Sequence, residues 1–217
     1  MKIAILTANL GNFDKDVKDP VEQNTTHKIF FHRFTDEDFP SITGLTPRFQ
    51  YRIPKMFGWE MSPGFDIYIW LDGGMSLQHP DSIAWLLGQL GASDAAFFKH
   101  PDRNTIKEEV DHIEDHLQKG KPYITSRYKN GLHKKFYEEI HLRGYRDNVL
   151  YASTAFIYRN CDRSHGLLNV WWNLQSRYYT CDQVQLPVAI ATSEAIVKRI
   201  DVDIFNNPYV SLVTHHK

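Results

Sequence analysis

Apolar and polar positions change their spacing many times along this chain, and each change marks an element. Residues 3–6 form a short apolar run that leads through Thr7-Ala8-Asn9 into the polar turn Gly11-Asn12-Phe13-Asp14, which predicts a first buried β-strand. A lysine precedes the run as in a signal peptide, but the apolar stretch is too short for one. Residues 27–32, with β-prone Ile29, Phe30 and Phe31, predict a second strand, and Thr46-Pro47 opens a helix as N-cap and first-turn proline. Asp66-Ile67-Tyr68-Ile69-Trp70-Leu71-Asp72-Gly73-Gly74 is an almost unbroken apolar run that ends in an acid, the pattern of a buried central strand.

Helical spacing follows. Pro80-Asp81-Ser82 caps a helix whose Ile83, Leu86, Leu87 and Leu90 share one face and which Gly91 ends. Residues 94–98 make a short strand. Thr105-Ile106-Lys107-Glu108 is a capping box; behind it Ile106, Val110, Ile113 and Leu117 form an apolar stripe that Gly120 and Pro122 close. Residues 132–143 predict a further helix, 149–158 a strand or strand pair, and 164–178 a helix with Leu167, Leu168, Trp171, Trp172 and Leu174 inward. A last helix starts near Asp182 and a last strand lies near 196–205. Strands interleaved with helices predict an α/β fold with a mostly parallel sheet covered on both faces.

Composition narrows the function. The 217 residues, 42% hydrophobic, suffice for one compact domain, with no repeat, linker or low-complexity tract. A formal net charge of -1 argues against a nucleic-acid partner bound mainly through its phosphates, so any anion site must be local. Two cysteines, Cys161 and Cys181, are too few for a disulfide framework and point to the cytoplasm or another reducing compartment. No segment reaches the length of a membrane span. Five Trp and eleven Tyr suit a sugar or base surface, although aromatics also fill cores.

Three groups of residues carry chemistry. Asp72 comes to the carboxyl end of a central strand, where open α/β sheets bind ligands, and Gly73 and Gly74 after it permit a close backbone approach. A turn or cap role is the plain alternative. Before that strand, Arg48, Arg52 and Lys55 are spaced at four and three, which puts them on one helix face able to hold a diphosphate, or else simply solvated. Pro54 is expected to kink that helix or end its regular part. The third group, Asp182-Gln183, places a carboxylate base beside an amide at a helix start, where an N-cap is the competing role. His100, Arg103 and Glu109 lie at another helix start, with His100 and Arg103 the better candidates for sugar or phosphate contacts.

Taken in order, these strings resemble the nucleotide-diphospho-sugar glycosyltransferases of the GT-A fold. The resembling segments are Ile5-Leu6-Thr7-Ala8-Asn9-Leu10-Gly11-Asn12-Phe13-Asp14, Phe34-Thr35-Asp36, Ile69-Trp70-Leu71-Asp72-Gly73, Lys99-His100-Pro101-Asp102-Arg103 with Glu108-Glu109, and Trp172-Asn173 followed by Asp182-Gln183. They are most similar to a family that includes plant mucilage-related hexosyltransferase-like proteins, and they also resemble the transferase domain of large-virus capsid-glycosylation proteins. The resemblance implies a single GT-A-like domain over residues 1–217, with a nucleotide-binding part in about 1–100 and an acceptor-side part in about 101–217. It implies that Thr7, Ala8, Asn9 and Asp36 face the base and ribose, and that Arg52 and Lys55 reach the diphosphate. Asp72 matches the first acid of the family's Asp-x-Asp motif for manganese or magnesium, while Gly74 stands in place of the second acid. His215 or His216 would complete that metal site, with His79 a local rival.

The implied reaction moves a sugar from a UDP-sugar to a glycan or glycoprotein hydroxyl, with Asp182 taking the proton if configuration inverts. Trp171, Trp172, Tyr178 and Tyr179 offer an acceptor platform, though most of the Trp171-Trp172 area is expected in the core. A nucleotidyltransferase is an alternative that lacks its glycine-rich, lysine-bearing loop here. A non-catalytic nucleotide-sugar-binding module is the other.

Overall fold

The computed structural model describes residues 1–40 and 44–213. Six strands build the main sheet: β1 (Lys2–Ala8), β2 (Lys28–Phe34), β3 (Ile67–Asp72), β5 (Ala95–Lys99), β6 (Tyr151–Arg159) and β7 (Val197–Ile200), in the order β2-β1-β3-β6-β5-β7. β1 pairs in parallel with β2 and β3, and β5 with β7, whereas β6 runs antiparallel to both of its neighbours. The expected α/β fold with a mostly parallel sheet is therefore present, with one strand reversed. Apolar runs look alike in either direction, so spacing alone does not reveal the reversal.

The chain path explains it. After β5 come three helices, α4 (Ile106–Gln118), α5 (Pro122–Tyr128) and α6 (Leu132–Leu142). The chain then re-enters the sheet at the end it left, since Lys99 pairs with Tyr151 and His100 N–H donates to Leu150 O at 2.8 Å. The excursion carries its own apolar cluster, in which Ile106, Val110, Ile113, Tyr128, Phe136 and Ile140 pack with Cys181, Val184 and Val188. It forms a wall at the carboxyl edge of the sheet.

Side-chain alternation divides the rest of the core. Ile3, Ile5, Ile67, Ile69 and Leu71 pack under α3 (Ser82–Leu90), while Ala4, Leu6, Ala8, Tyr68 and Trp70 face α2 (Arg52–Met61), α7 (Asp162–Arg177) and α8 (Asp182–Thr192). Helices thus cover both faces, as expected. A two-stranded ribbon of β4 (Met75–Ser76) and β8 (Ser211–Leu212) ties the distant segment around Val213 to the turn after β3, where Val213 N–H donates to Gly74 O at 2.8 Å. Among the described residues no helix is long and apolar enough to cross a membrane.

The expected interruption at Pro54 is present, since the helix opened by Thr46 breaks into α1 (Pro47–Gln50) and α2 at Tyr51, next to the Gln50 carbonyl to which Pro54 cannot donate, and α2 kinks again at Phe57 (φ -119, ψ 20). Pro54 lies in the first turn of α2, where a missing N–H removes no helical hydrogen bond. Other local expectations are corrected. Thr105 caps α4 through Glu108 N–H at 3.1 Å, but Glu108 reaches back to Asn104 N–H at 2.6 Å rather than to Thr105. Asp81 makes no side-chain cap to α3 and accepts from Asn24 instead. Pro122, read as a stop, also opens α5 as its first residue. The strand expected at 196–205 is only β7, Val197–Ile200, and it is not the last, since β8 follows it.

Candidate functional site

The register of β1 and β3 pairs Ala8 with Asp72, so both strands end together at the carboxyl edge. Asp72 shares its sheet face with Tyr68 and Trp70 by alternation, and that is the face covered by α2, α7 and α8. Lys55 descends from α2 onto this acid. Its Nζ donates to Asp72 Oδ1 at 3.0 Å and to Asp182 Oδ2 at 2.7 Å, and the lysine side chain is wholly buried. Trp70 Nε1 also donates to Asp72 Oδ1, at 2.8 Å. One ammonium thus bridges two carboxylates that stand far apart in the chain.

Arg52 lies one turn earlier on the same face. It is buried, and its guanidinium donates to Gln175 Oε1 and, at 2.6 Å, to the carbonyl of Thr180. Arg48 donates to the same Thr180 carbonyl at 3.4 Å and to Arg127 O at 3.2 Å. The three cations keep one face across the break between α1 and α2 because Tyr51 itself has helical dihedrals, φ -62 and ψ -20. The stripe faces inward, toward the start of α8. It is not a solvated face, and Arg52 and Lys55 are committed to protein partners rather than open to solvent.

Asp182 is the first residue of α8, behind the N-cap Cys181. Its carboxylate is directed to Lys55, so an N-cap does not describe it; its carbonyl accepts from Trp171 Nε1 at 3.0 Å. Burial pushes the Asp182 carboxyl up, but Lys55, Arg52 and Arg48 outweigh it and hold the group below the usual carboxylate range. Asp72 goes the other way. Burial raises it against the pull of Lys55, and the neighbouring Asp182 adds to the rise, tempered by the quarter of the side chain that meets solvent. Burial lowers the Lys55 ammonium, yet Asp182 and Asp72 more than reverse that, so it stays charged. Two carboxylates whose proton affinities are driven apart are a common basis for acid and base roles.

The other expected residues are placed as follows. Asn9 pins the loop after β1, donating to Asp14 O at 2.7 Å and accepting from Asp14 N–H at 3.0 Å. Asp36 accepts from Gly11 N–H at 2.9 Å and holds that same loop. Thr7 is buried, and alternation puts its side chain on the sheet face opposite Asp72. The space beside Gly73 is filled by the chain itself, since a Cβ there would press on Asp14 Oδ2 and lie 2.9 Å from Ala8 O. That glycine is explained by a close approach of β1 and its loop, not by room for a ligand.

His100 is buried and accepts from the N–H groups of Asp102 at 3.1 Å and Arg103 at 3.2 Å through Nδ1. Arg103 contacts the other ring nitrogen and pairs with the buried Glu109, whose second oxygen lies 3.8 Å from Cys181 Sγ. The cluster buttresses the start of α8. Gln183 accepts from Cys181 Sγ at 3.3 Å. Trp171 is core and Trp172 packs against Phe49 and Phe57. Tyr178 is buried, whereas Tyr179 borders an open cleft and bonds Thr46 Oγ1 at 2.7 Å.

A metal finds few protein ligands here. Asp72 Oδ2 has no hydrogen-bond partner among the described residues, and among them no group of three His, Cys, Asp or Glu side chains is placed to hold a metal ion. His215 and His216 lie outside the described residues. His79 accepts from Asp81 N–H at 3.1 Å and packs on Tyr209, in the turn before α3. What remains fits an ion shared between one carboxylate and phosphate oxygens.

Gln175 and Thr180, the partners of Arg52, were not legible as site residues, because a mid-helix glutamine and a carbonyl carry no spacing signal. No protein-family model matches the chain, and no curated protein sequence matches it.

Proposed function

We propose that the chain is a GT-A-type glycosyltransferase that moves a sugar from a nucleotide diphosphate sugar, with UDP the preferred nucleotide, to a hydroxyl of a glycan or glycoprotein. The observation that carries this reading is the buried Asp72–Lys55–Asp182 bridge at the carboxyl end of the central strands. Open α/β sheets bind their ligands at that edge, and buried charges with perturbed proton affinity concentrate at functional sites.

In this reading the buried Lys55, with Arg48 and Arg52 behind it, supplies fixed positive potential beneath Asp72, at the edge where negative charge grows on the departing diphosphate. Fixed cations in a water-poor site stabilise such charge without reorganisation. Asp182 receives the proton of the attacking hydroxyl. Manganese or magnesium, held by Asp72 Oδ2 and the donor's phosphates, would add to the neutralisation of the diphosphate.

A second reading has one observation in its favour. A carboxylate held below its usual range by an ammonium is a poor resting base, which suits a module that binds a sugar nucleotide without turnover.

The test is calorimetric titration with a panel of sugar nucleotides, with and without manganese or magnesium, followed by measurement of nucleoside diphosphate release with glycan acceptors. One donor should bind and turn over. Asp182→Asn should cut release by about a hundredfold or more while donor affinity changes only a few-fold. Binding without turnover in the wild type supports the module, and no binding by any sugar nucleotide removes both readings.

A further inference from the structure

The helical excursion after β5 creates a cleft to which the expected candidates contribute only Arg48 and Tyr179. It encloses about 310 Å³ between α1, α5 and the segment before α8, and its wall includes Arg48, Arg127 and Lys129 with the hydroxyls of Thr46, Ser126 and Tyr179. That space equals roughly ten water molecules' share of liquid volume. The polar character is one-sided. Three cations meet there, no carboxylate is among the lining residues, and none of the three cations has an ion-pair partner among the described residues.

Arg127 makes the charge available. Its guanidinium lies 3.9 Å from the ring centroid of Tyr123 and 5.2 Å from that of Phe13, so aromatic faces orient it. No hydrogen bond engages its guanidinium among the described residues, although its carbonyl accepts from Arg48. Lys129 is exposed beside it. Arg48 lies over the rings of Tyr128 and Tyr179 at 4.8 and 5.2 Å and shares the Thr180 carbonyl with the buried Arg52. The Arg127 guanidinium, oriented by aromatic rings and without an ion-pair or hydrogen-bond partner among the described residues, lies beside hydroxyls and matches the planar and bidentate demands of phosphate oxygens. On a chain of net charge -1, such a concentration of positive charge is local.

We propose that this cleft is an oxyanion subsite that takes a phosphate group of a substrate, with Arg127 and Lys129 as its principal ligands and Arg48 linking it to the buried bridge. The assignment goes beyond the transfer reaction and stands whether or not the chain transfers a sugar.

The experiment is calorimetric titration of the full chain with inorganic pyrophosphate and, separately, with UDP, at low and raised salt. Wild type, Arg127→Gln, Lys129→Gln, the double variant and the control Lys107→Gln, which alters an exposed lysine paired with Asp111 on α4, are compared. Thermal melts establish that each is folded, and the exposed Lys129 variant keeps the test open should the double variant not fold. Pyrophosphate should bind the wild type and the control alike, weaken as salt rises, and lose roughly tenfold in affinity for each cation removed. A parallel loss for UDP assigns the phosphate to a nucleotide. Unchanged UDP affinity with weakened pyrophosphate assigns it to another phosphate-bearing substrate, and either result supports the subsite. Equal pyrophosphate affinity in the double variant and wild type, or no binding by the wild type at low salt, overturns it. Neither depends on sugar transfer, so this failure is distinct from failure of the transferase reading.

Discussion

Lys55→Met tests the physics of the buried bridge most directly. The substitution preserves most of the side-chain volume but removes the ammonium that lies 2.7 Å from Asp182 and 3.0 Å from Asp72. Lys55 is wholly buried and the two acids keep only 11% and 25% of their side-chain surface, so water cannot replace it. Removing one partner of a buried ionic group typically costs about 3–5 kcal/mol, because the remaining charge is left without compensation. For a domain of this size that corresponds to roughly 6–20 °C in melting temperature. The sign of the pH dependence separates this mechanism from simple loss of packing. In the wild type the folded-state pKa of Asp182 lies below its unfolded value near 3.9, so its contribution is present above about pH 4 and lost as pH falls through the folded value. In the variant, burial and the facing Asp182 raise Asp72 further above that unfolded value, because Lys55 no longer opposes them, while Arg52 and Arg48 still act on Asp182. The native variant then binds a proton that the unfolded chain does not, and it gains stability as pH falls from about 7.5 toward 5, by up to about 1.4 kcal/mol per pH unit. Guanidinium unfolding of both proteins at the two pH values is the assay. A deficit below about 1 kcal/mol near neutrality, or one that fails to shrink at the acid value, would refute the reasoning.

Two further outcomes follow from local geometry. Gly73→Ala places a methyl group 2.9 Å from Ala8 O and against Asp14, which should destabilise the protein by about 1–3 kcal/mol in denaturant unfolding; a change within about 0.5 kcal/mol would show that the β1 loop yields freely. The Cys181 thiol is buried and pushed up to about 12 by burial and then by Glu109 and Asp182, whereas Cys161 is partly exposed. Alkylation of native protein near pH 8, read by mass spectrometry, should therefore modify Cys161 first and Cys181 only on unfolding, and equal rates would contradict the placement of Cys181.

Much of the frame is legible in the sequence because burial writes itself into spacing. The run ending at Asp72 is β3, the stripe from Ile106 is α4, and Asp182 starts α8. Arg48, Arg52 and Lys55 share a face, as their intervals of four and three imply. What spacing does not state is whether such a face meets water or protein. The same intervals describe a solvated stripe, and only the packing of α2 against α7 and α8 turned these cations inward. Gly73 is similar: a glycine after an acid signals a close approach, but whether of a ligand or of the chain's own β1 loop depends on what folds beside it. The α5 helix was missed because Pro122 ends one helix and begins another, and both roles use the same residue.

The amino-acid order by itself determined most of the strands and helices, which of their faces are apolar, and which few acids and bases sit at element ends. These properties are set within a few residues by backbone geometry and the exclusion of apolar surface from water. Tertiary structure alone decided that β6 runs backward, that Lys55 reaches Asp182 across 127 positions of chain and joins it to Asp72, and that Arg127 and Lys129 meet Arg48 around a cleft. Each depends on segments distant in sequence coming together, and the free energy of a buried charge is determined by those neighbours rather than by the residues beside it in the chain.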